Sequence, residues 1–245
     1  MTRNPKWRGG RPWVDRGWRH TSLQFKGSVT QSRMSNLFPH LLDVGYTRTM
    51  LAALLLNPRP RDIGIVGLGG GSQAKFCHRY LPQSRIEAIE SSADVLALRD
   101  EFHVPPDDGR FRATLGDAAR VLKQRRDAWD LVLLDAYDAY GLPEALSTKE
   151  FYADCRASVR DGGVLAVNLY DTDTRRHRQN ICRAFEDKVV VLDEPKMSNR
   201  VVFAWVGEPP RPLDPAAAVA GMPWLARRQL LPGLKRLRDA LLKVR

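Results

Sequence analysis

The sequence predicts an α/β fold with a mostly parallel sheet, an N-terminal β-hairpin and a C-terminal antiparallel strand pair. Between Arg61 and Val206, short runs rich in β-branched residues alternate with longer helical patterns, as in a parallel sheet covered by helices. A glycine-rich turn follows the first of these runs. The length of 245 residues is sufficient for one elaborated domain with a sizeable core.

Seven segments are predicted to be strands of the main sheet. The first five are separated by helical patterns, and the last two lie close enough in the chain to form the antiparallel pair. In chain order, the predicted strands are Asp62 to Val66, Arg85 to Ile89, Arg110 to Leu115, Trp129 to Leu134, Gly163 to Asn168, Lys188 to Leu192 and Arg200 to Val206.

Helices are predicted between these strands and on both sides of them. Ser147 and Glu150 have the spacing of a capping box at the start of one helix. Further upstream, Ser22 to Phe25 and Val29 to Met34 flank a Lys-Gly-Ser turn and predict the hairpin. The predicted helices span residues 46–56, 72–80, 93–102, 118–124 and 147–160, followed by a C-terminal helix with Leu230, Leu231, Leu234, Leu237, Leu241 and Leu242 on its apolar side.

The positive charge of the chain is concentrated at its two ends. The net charge is +11, to which residues 1–33 contribute +7 and residues 207–245 contribute +5, so that the middle of the chain carries −1. A basic flank with interleaved aromatic residues, as found before residue 20, is compatible with nucleic-acid binding, which stays an alternative. The leucines of the C-terminal helix predict a packing face and not a membrane anchor.

Composition also divides the chain and indicates its compartment. We expect a basic arm, hairpin and helix over residues 1–57, the α/β domain over residues 58–206, and a proline-rich linker with a basic helical tail over residues 207–245. Cys77, Cys155 and Cys182 form no CxxC pair and no metal-ligand pattern with the histidines. With no apolar secretory stretch and no apolar run long enough for a membrane span, the expected location is the reducing cytoplasm.

The glycine-rich turn is the first candidate for ligand binding. In an open parallel sheet, ligands bind beyond the carboxyl ends of the strands. The turn Gly67-Leu68-Gly69-Gly70-Gly71-Ser72 follows the first strand and opens a helix, so its backbone can approach a nucleoside closely. A turn that needs glycine for steric reasons alone is the alternative. No Gly-Lys-Ser/Thr closes the motif, which therefore differs from a phosphate loop.

Two acidic residues follow the second and third strands. Glu90 lies twenty-three residues after Gly67, about the spacing at which a carboxylate binds a ribose diol. The Asp117 carboxylate is placed either to accept a hydrogen bond from an adenine amine or to cap the next helix. Ser91 and Ala118, their neighbours, belong to the same predicted nucleoside site.

The fourth strand ends in a loop that contains two carboxylates, Asp135 and Asp138, around Tyr137. Carboxylates near a closed site are costly unless they meet cations or hydrogen-bond donors. A turn whose aspartates bond their own backbone is the alternative. Because this loop lies at the same sheet edge as the other three segments, we favour a functional loop.

Together these segments resemble the spermidine synthase family of polyamine aminopropyltransferases over residues 23–206. The most specific stretch is LLDAYDAYGLPEALSTKEFY, which is similar to the family pattern of Asp-x-x-Asp, a glycine and a helix ending in two aromatic residues. The resemblance implies a Rossmann-like fold of the class I methyltransferase type, a homodimer and aminopropyl transfer from decarboxylated S-adenosylmethionine to a polyamine. It implies neither a metal nor a tightly bound cofactor.

The resemblance also implies roles for individual residues. Asp135 is the base that takes a proton from the amine, and Asp138, Gln31, Tyr46 and Tyr137 bind the amine substrate. The donor nucleoside is assigned to Gly67, Gly69, Gly70, Gly71, Glu90, Ser91, Asp117 and Ala118.

The sequence departs from the family pattern at positions that affect substrate choice. Gly70 stands where the family has an aspartate that contacts the donor amine, and Thr47 and Arg48 replace the polar and acidic residues after the upstream tyrosine. Ala139 replaces a proline, and the usual amine-pocket residues are not recognised between Asp193 and Asn199. Two alternatives therefore stay open: an S-adenosylmethionine-dependent methyltransferase, and a non-catalytic module that binds a nucleoside or contacts nucleic acid.

Overall fold

The computed structural model describes residues 11–25, 32–137, 142–170, 174–209 and 212–243. A small antiparallel sheet comes first, with strands β1 (Trp13–Arg16), β2 (His20–Gln24) and β3 (Ser32–Ser35) in that order. Strands β2 and β3 are the predicted hairpin, whose turn lies outside the described residues. The sequence did not predict β1, which pairs with β2 although its residues are half-buried or exposed.

A seven-stranded, mostly parallel sheet forms the centre of the fold, as predicted. Its strands are β4 (Asp62–Val66), β5 (Arg85–Glu90), β6 (Phe111–Leu115), β7 (Trp129–Leu134), β8 (Val159–Leu169), β9 (Val189–Asp193) and β10 (Arg200–Trp205). The spatial order is β6-β5-β4-β7-β8-β10-β9. Strand β10 runs antiparallel to both of its neighbours, so it begins at the edge where the parallel strands end.

Helices cover both faces of this sheet. They are α1 (Gly45–Met50), α2 (Ser72–Tyr80), α3 (Ala93–Ala97), α4 (Ala118–Lys123), α5 (Lys149–Ser158), α6 (Thr174–Ala184), α7 (Pro215–Ala218) and α8 (Trp224–Lys243). Short 3₁₀ segments at Leu51–Leu55, Asp100–Phe102 and Glu144–Ser147 connect them. Among the described residues, no helix combines the length and the apolar content needed to cross a membrane.

Side-chain alternation along the strands separates the core into two layers. On β7, Leu131 and Leu133 face one layer, while Val132 and Leu134 face the other. The first layer packs under α1, α2, α3 and α8, and the second under α4, α5 and α6. Burial on both faces explains why the strands are continuous apolar runs in the sequence.

Several local predictions differ from the structure. The predicted helices 46–56 and 93–102 are α-helical only over Gly45–Met50 and Ala93–Ala97, and each is followed by a 3₁₀ segment. Ser147 does not cap a helix, because it lies in the 3₁₀ segment and its hydroxyl donates to the Glu144 carbonyl. Thr148 caps α5 instead, where its side-chain oxygen accepts from the Phe151 amide. Helix α6 was not predicted, because among its side chains only His177 and Ile181 are buried and the apolar pattern is correspondingly weak.

The C-terminal helix α8 is part of the core. Its side chains Leu230, Leu234 and Leu237 are fully buried, and the helix packs against α1 and the segment Leu51–Leu55. By contrast, Leu242 is 54% exposed. The apolar side of this helix therefore supports α1, which in turn carries Tyr46 at the candidate site.

Candidate active site

A cavity of about 420 Å³ lies at the carboxyl edge of the parallel strands. Leu23 and Ser32 of the small sheet, together with Phe25 directly after β2, line it. Its polar lining, among the described residues, consists of Ser32, Tyr46, Thr47, Ser72, Gln73, Glu90, Ser91, Ser92, Asp117, Asp135, Tyr137, Asn168, Tyr170 and Asn199. The cavity is therefore where the sequence predicted a ligand, and it is large enough for a small organic molecule.

The glycine turn brings the end of β4 close to the loop after β7. Gly67 has a φ of +90°, and a side chain there would overlap the backbone carbonyl of Asp135. Glycine is thus required for both conformation and space. Of the four predicted glycines, Gly67 and Gly69 line the cavity, while Gly70 and Gly71 pack behind it against Ser32, Phe102 and Val104.

Glu90 supports the glycine turn from the end of β5. Its Oε2 accepts from the Leu68 amide at 2.9 Å, and its Oε1 accepts from the Ser92 amide at 2.9 Å. The side chain lines the cavity although it is only 8% exposed. Oε2 also accepts from the Gly69 amide at 3.4 Å, whereas Oε1 keeps a second lone pair, so Glu90 can hold the turn and still accept from a ligand.

Asp117 caps α4, which was one of its two expected roles. Its Oδ1 accepts from the Ala119 amide at 2.8 Å. The side chain also lines the cavity, next to Ala118 and Gly116. Capping occupies one carboxylate oxygen and leaves the other oxygen able to accept from a ligand.

Asp135 is the most constrained carboxylate of the cavity. Its backbone amide donates to the Val66 carbonyl at 2.8 Å, and its Oδ1 accepts from Asn168 Nδ2 at 2.8 Å. Tyr46 also hydrogen-bonds to this carboxylate. Burial raises the pKa of the Asp135 carboxyl above its usual value, although the bonds from Asn168 and Tyr46 act in the opposite direction.

The two predicted tyrosines hold the loop around Asp135. Burial and the nearby Asp135 charge raise the pKa of the Tyr46 phenol well above its usual value, so Tyr46 stays a hydrogen-bond donor. The Tyr137 hydroxyl donates to the backbone carbonyl of Asn168 at 3.0 Å and accepts from the backbone amide of Tyr170 at 2.5 Å. Tyr137 therefore ties the loop after β7 to the end of β8.

Two predicted amine-site residues, Gln31 and Asp138, lie outside the described residues. The three amide side chains of the described lining, Gln73, Asn168 and Asn199, were not among the predicted site residues. Asn168 ends the predicted fifth strand, so the rule used for the other strand ends was sufficient to find it. Asn199 precedes an antiparallel strand that starts at the same edge, and Gln73 had no distinguishing signal.

The charge of the cavity differs in sign from that of the chain. Glu90, Asp117 and Asp135 line it, whereas the described part of the lining contains no Lys, Arg or His. From the segment between Asp193 and Asn199, the cavity receives Met197 and Asn199. Nowhere in the described ranges do three His, Cys, Asp or Glu side chains form a group that could hold a metal ion.

Comparison with known proteins identifies similar sequences. Residues 45–187 match the family described as the spermine/spermidine synthase domain. The chain is 31% identical over 191 residues to the polyamine aminopropyltransferase of Chromobacterium violaceum. This alignment covers 77% of this chain and 73% of that protein.

Solved structures show the same fold. A probable spermidine synthase from Corynebacterium glutamicum has a TM-score of 0.71 at 19% identity, covering 86% of this chain and 82% of the other. A spermidine synthase in complex with the transition-state analogue AdoDATO has a TM-score of 0.66 at 17% identity, covering 90% of this chain and 88% of the other. The predicted Rossmann-like fold of the class I methyltransferase type is confirmed.

Proposed function

The chain belongs to the spermine/spermidine synthase family, and on that premise we propose that it transfers an aminopropyl group from decarboxylated S-adenosylmethionine to an amine acceptor. The resemblance predicted from the sequence is thereby confirmed at the level of the family. The chain is a transferase of the aminopropyltransferase type, and its donor is a co-substrate consumed in the reaction.

The acidic lining of the cavity is the observation that carries this proposal. Three carboxylates and no described basic side chain face the cavity, although the chain has a net charge of +11. Both proposed substrates are cations, since the donor is a sulfonium and a free polyamine is protonated near neutral pH. An acidic cavity raises the local concentration of such ligands and would repel an anionic substrate.

The proposed reaction is a direct displacement at carbon. The amine nitrogen attacks the aminopropyl methylene carbon that is bonded to the sulfonium sulfur, the bond between that carbon and sulfur breaks, and its electron pair returns to sulfur. The products are methylthioadenosine and the aminopropylated amine. One proton leaves the amine during this step, and we assign it to the Asp135 carboxylate, which is buried and held by Asn168 and Tyr46.

The remaining residues are divided between the two proposed substrates. Gly67, Gly69, Glu90 with Ser91, and Asp117 with Ala118 are assigned to the donor nucleoside, and Gly70 and Gly71 support the turn from behind. Tyr46 and Tyr137, together with Gln31 and Asp138 outside the described residues, are assigned to the amine substrate. No tightly bound cofactor enters this reaction.

The proposal also includes a homodimer in the cytoplasm. Large apolar side chains are exposed on and beside the small N-terminal sheet, with Trp18 at 89%, Leu37 at 81% and Phe38 at 52% exposure, which supports burial against a second copy. Cys77, Cys155 and Cys182 are all free, which supports a reducing compartment. Light scattering of the purified protein tests the dimer, and a monomer would contradict it.

The activity is tested by incubating the protein with decarboxylated S-adenosylmethionine and a panel of linear di- and polyamines. We expect methylthioadenosine and an aminopropylated amine in equal amounts, detected by mass spectrometry. If no amine in the panel releases methylthioadenosine, the proposal is wrong.

Methyl transfer from S-adenosylmethionine is the second candidate, because Gly70 leaves the glycine turn without a carboxylate for the donor amine. A Cβ at Gly70 would lie 2.6 Å from Ser32 Oγ and 2.9 Å from the Phe102 ring, so this space is already filled by other side chains. Calorimetric titration with both donors distinguishes the two reactions. Tighter binding of the carboxylated donor would favour methyl transfer.

A further inference from the structure

Lys75 is a buried amine for which the proposed reaction has no use. Its side chain is 1% exposed and is not part of the described cavity lining. Burial lowers the pKa of this amine to about 7, and no acidic group of the described residues offsets that effect. Lysine is almost never fully buried unless it is paired. An apolar side chain would fill the same space at lower cost, so the retention of a lysine here indicates a role for its amine.

The Lys75 amine reaches from helix α2 to the 3₁₀ segment Asp100–Phe102. Its Nζ donates to the Phe102 carbonyl at 2.7 Å. At the other end of the residue, the backbone amide of Lys75 donates to the Gly71 carbonyl at 2.8 Å, in the first turn of α2. Lys75 therefore connects the end of the glycine turn to the segment that follows α3.

That segment packs directly against the back of the glycine turn. A Cβ at Gly70 would lie 2.9 Å from the Phe102 ring, and a Cβ at Gly71 would overlap the Val104 side chain. Phe102 and Val104 are both buried. The position of the turn therefore depends on where residues 102–104 lie.

We propose that Lys75 is a positioning residue for the donor nucleoside: by fixing residues 102–104 behind the glycine turn, it keeps Gly67 and Gly69 in the conformation that binds the donor. This inference rests on the proposed function, in which these two glycines are assigned to the nucleoside. Both have a positive φ, and glycines have no side chains with which to hold such a conformation. The shape of the turn has to be imposed by neighbouring groups.

Lys75→Met keeps the length of the side chain and removes the hydrogen-bond donor. We expect this variant to bind methylthioadenosine at least about fivefold more weakly in calorimetry, because a buried carbonyl behind the turn loses its partner. The stoichiometry of the same titration reports the folded fraction, so a variant that has only lost stability binds with normal affinity and lower stoichiometry. In steady-state kinetics the KM for the donor should rise while kcat stays within about twofold.

Two further variants separate the proposed route from a general effect. Arg79→Met is the matched control, because Arg79 is exposed on the same helix, and it should keep the full affinity. Val104→Ala loosens the contact between residues 102–104 and the turn. Adding Lys75→Met to Val104→Ala should therefore weaken binding by less than about twofold more, since two changes on one route are not additive.

Hydrogen exchange of the unmodified protein keeps the inference testable if the variants do not fold. Residues 102–104 are not part of the described cavity lining, yet bound methylthioadenosine should slow the exchange of their backbone amides at least about threefold, because it stabilises the turn on which they pack. Unchanged exchange of these amides overturns the inference.

The binding data can also overturn it. Normal affinity of Lys75→Met, an equal loss in Arg79→Met, or a fivefold loss that persists in the Val104→Ala background would each do so, as would the absence of methylthioadenosine binding to the unmodified protein. The proposed function fails on a different observation, namely that the unmodified protein releases no methylthioadenosine with any amine.

Discussion

At the scale of the residue, Asp135 meets two opposing requirements. Burial beside the glycine turn destabilises its charged form, while Asn168 and Tyr46 stabilise that form through hydrogen bonds. The net effect is a raised pKa, which makes the carboxylate a stronger base at the cost of stability. The same compromise is common where a catalytic group must be held away from water.

We expect Asp135→Asn to lower turnover by about 10² to 10⁴-fold, because the variant has no base for the amine proton. The folded pKa of Asp135 lies above the unfolded one, so its ionisation disfavours folding at neutral pH. Removal of this ionisation should therefore act to raise the unfolding free energy of the variant at pH 7. Methylthioadenosine release and urea denaturation measure the two effects, and unchanged turnover would contradict the assignment.

At Gly70, neighbouring side chains leave no room for a larger residue in the glycine turn. Gly70→Asp would bring a Cβ to 2.6 Å from Ser32 Oγ and 2.9 Å from the ring of Phe102, which is fully buried. We expect a loss of about 1 to 3 kcal/mol in unfolding free energy, part of which Ser32→Gly should restore in the double variant. Gly109→Asp is the control, since a Cβ there meets nothing within 4 Å. Equal losses in the two aspartate variants would contradict the steric account.

At the scale of the element, helices α2 and α8 attach the site to the rest of the fold in different ways. Helix α2 follows the glycine turn and contains Lys75, which is 1% exposed and donates to the Phe102 carbonyl at 2.7 Å. Helix α8 supports α1 through buried leucines. One element therefore depends on a buried polar contact and the other on apolar packing.

Lys75 makes the stability of the protein depend on pH. Burial lowers its pKa to about 7, compared with 10.5 in the unfolded chain. Between these values the unfolded state binds more protons, so the folded state gains stability as pH rises. We expect the unfolding free energy of the unmodified protein, relative to Lys75→Met, to increase by about 2 kcal/mol from pH 7 to pH 9. Urea denaturation at both pH values checks this, and a constant difference would contradict it.

The leucines of α8 allow a matched test of packing. Leu234 is fully buried, whereas Leu242 on the same helix is 54% exposed. Leu234→Ala should cost about 2 to 5 kcal/mol of unfolding free energy, and Leu242→Ala less than about 0.5 kcal/mol. Chemical denaturation of both variants measures these costs. Similar values for the two would mean that α8 does not pack on the core.

At the scale of the whole molecule, charge is separated between the surface and the cavity. The chain has a net charge of +11, carried by its two ends, while the cavity lining contains three carboxylates. A cationic substrate therefore meets an attractive field inside the cavity. The net charge alone suggests an anionic partner, and the position of the charges is what reverses that inference for the site.

Surface charge should accordingly have little influence on the reaction. Arg227 and Lys235 are exposed on α8 and do not line the cavity. Reversing both, as Arg227→Glu with Lys235→Glu, should change the KM for the amine less than about twofold at 0.15 M salt, because exposed charges are screened over about 8 Å. Steady-state kinetics checks this. A large change in KM would show that the flank takes part in substrate capture.

Much of the fold could be predicted because its elements depend on local patterns. Seven apolar runs became the seven strands, since strands buried on both faces are continuous apolar segments. Helix α6 was not predicted because few of its side chains are buried. The cap of α5 is Thr148 and not the predicted Ser147, because a 3₁₀ turn precedes that helix. In each case the deciding contact lies outside the short segment from which the prediction was made.

The sequence by itself determined the sheet, the glycine turn and the strand-end positions of Glu90, Asp117 and Asp135, because each depends on residues close together in the chain. Only the tertiary structure decided that the Lys75 amine and the Phe102 carbonyl meet behind that turn. Helix α2 and the 3₁₀ segment after α3 bring these groups together from positions 75 and 102. A buried hydrogen bond of this kind depends on the packing of separate elements, which no local pattern in the sequence encodes.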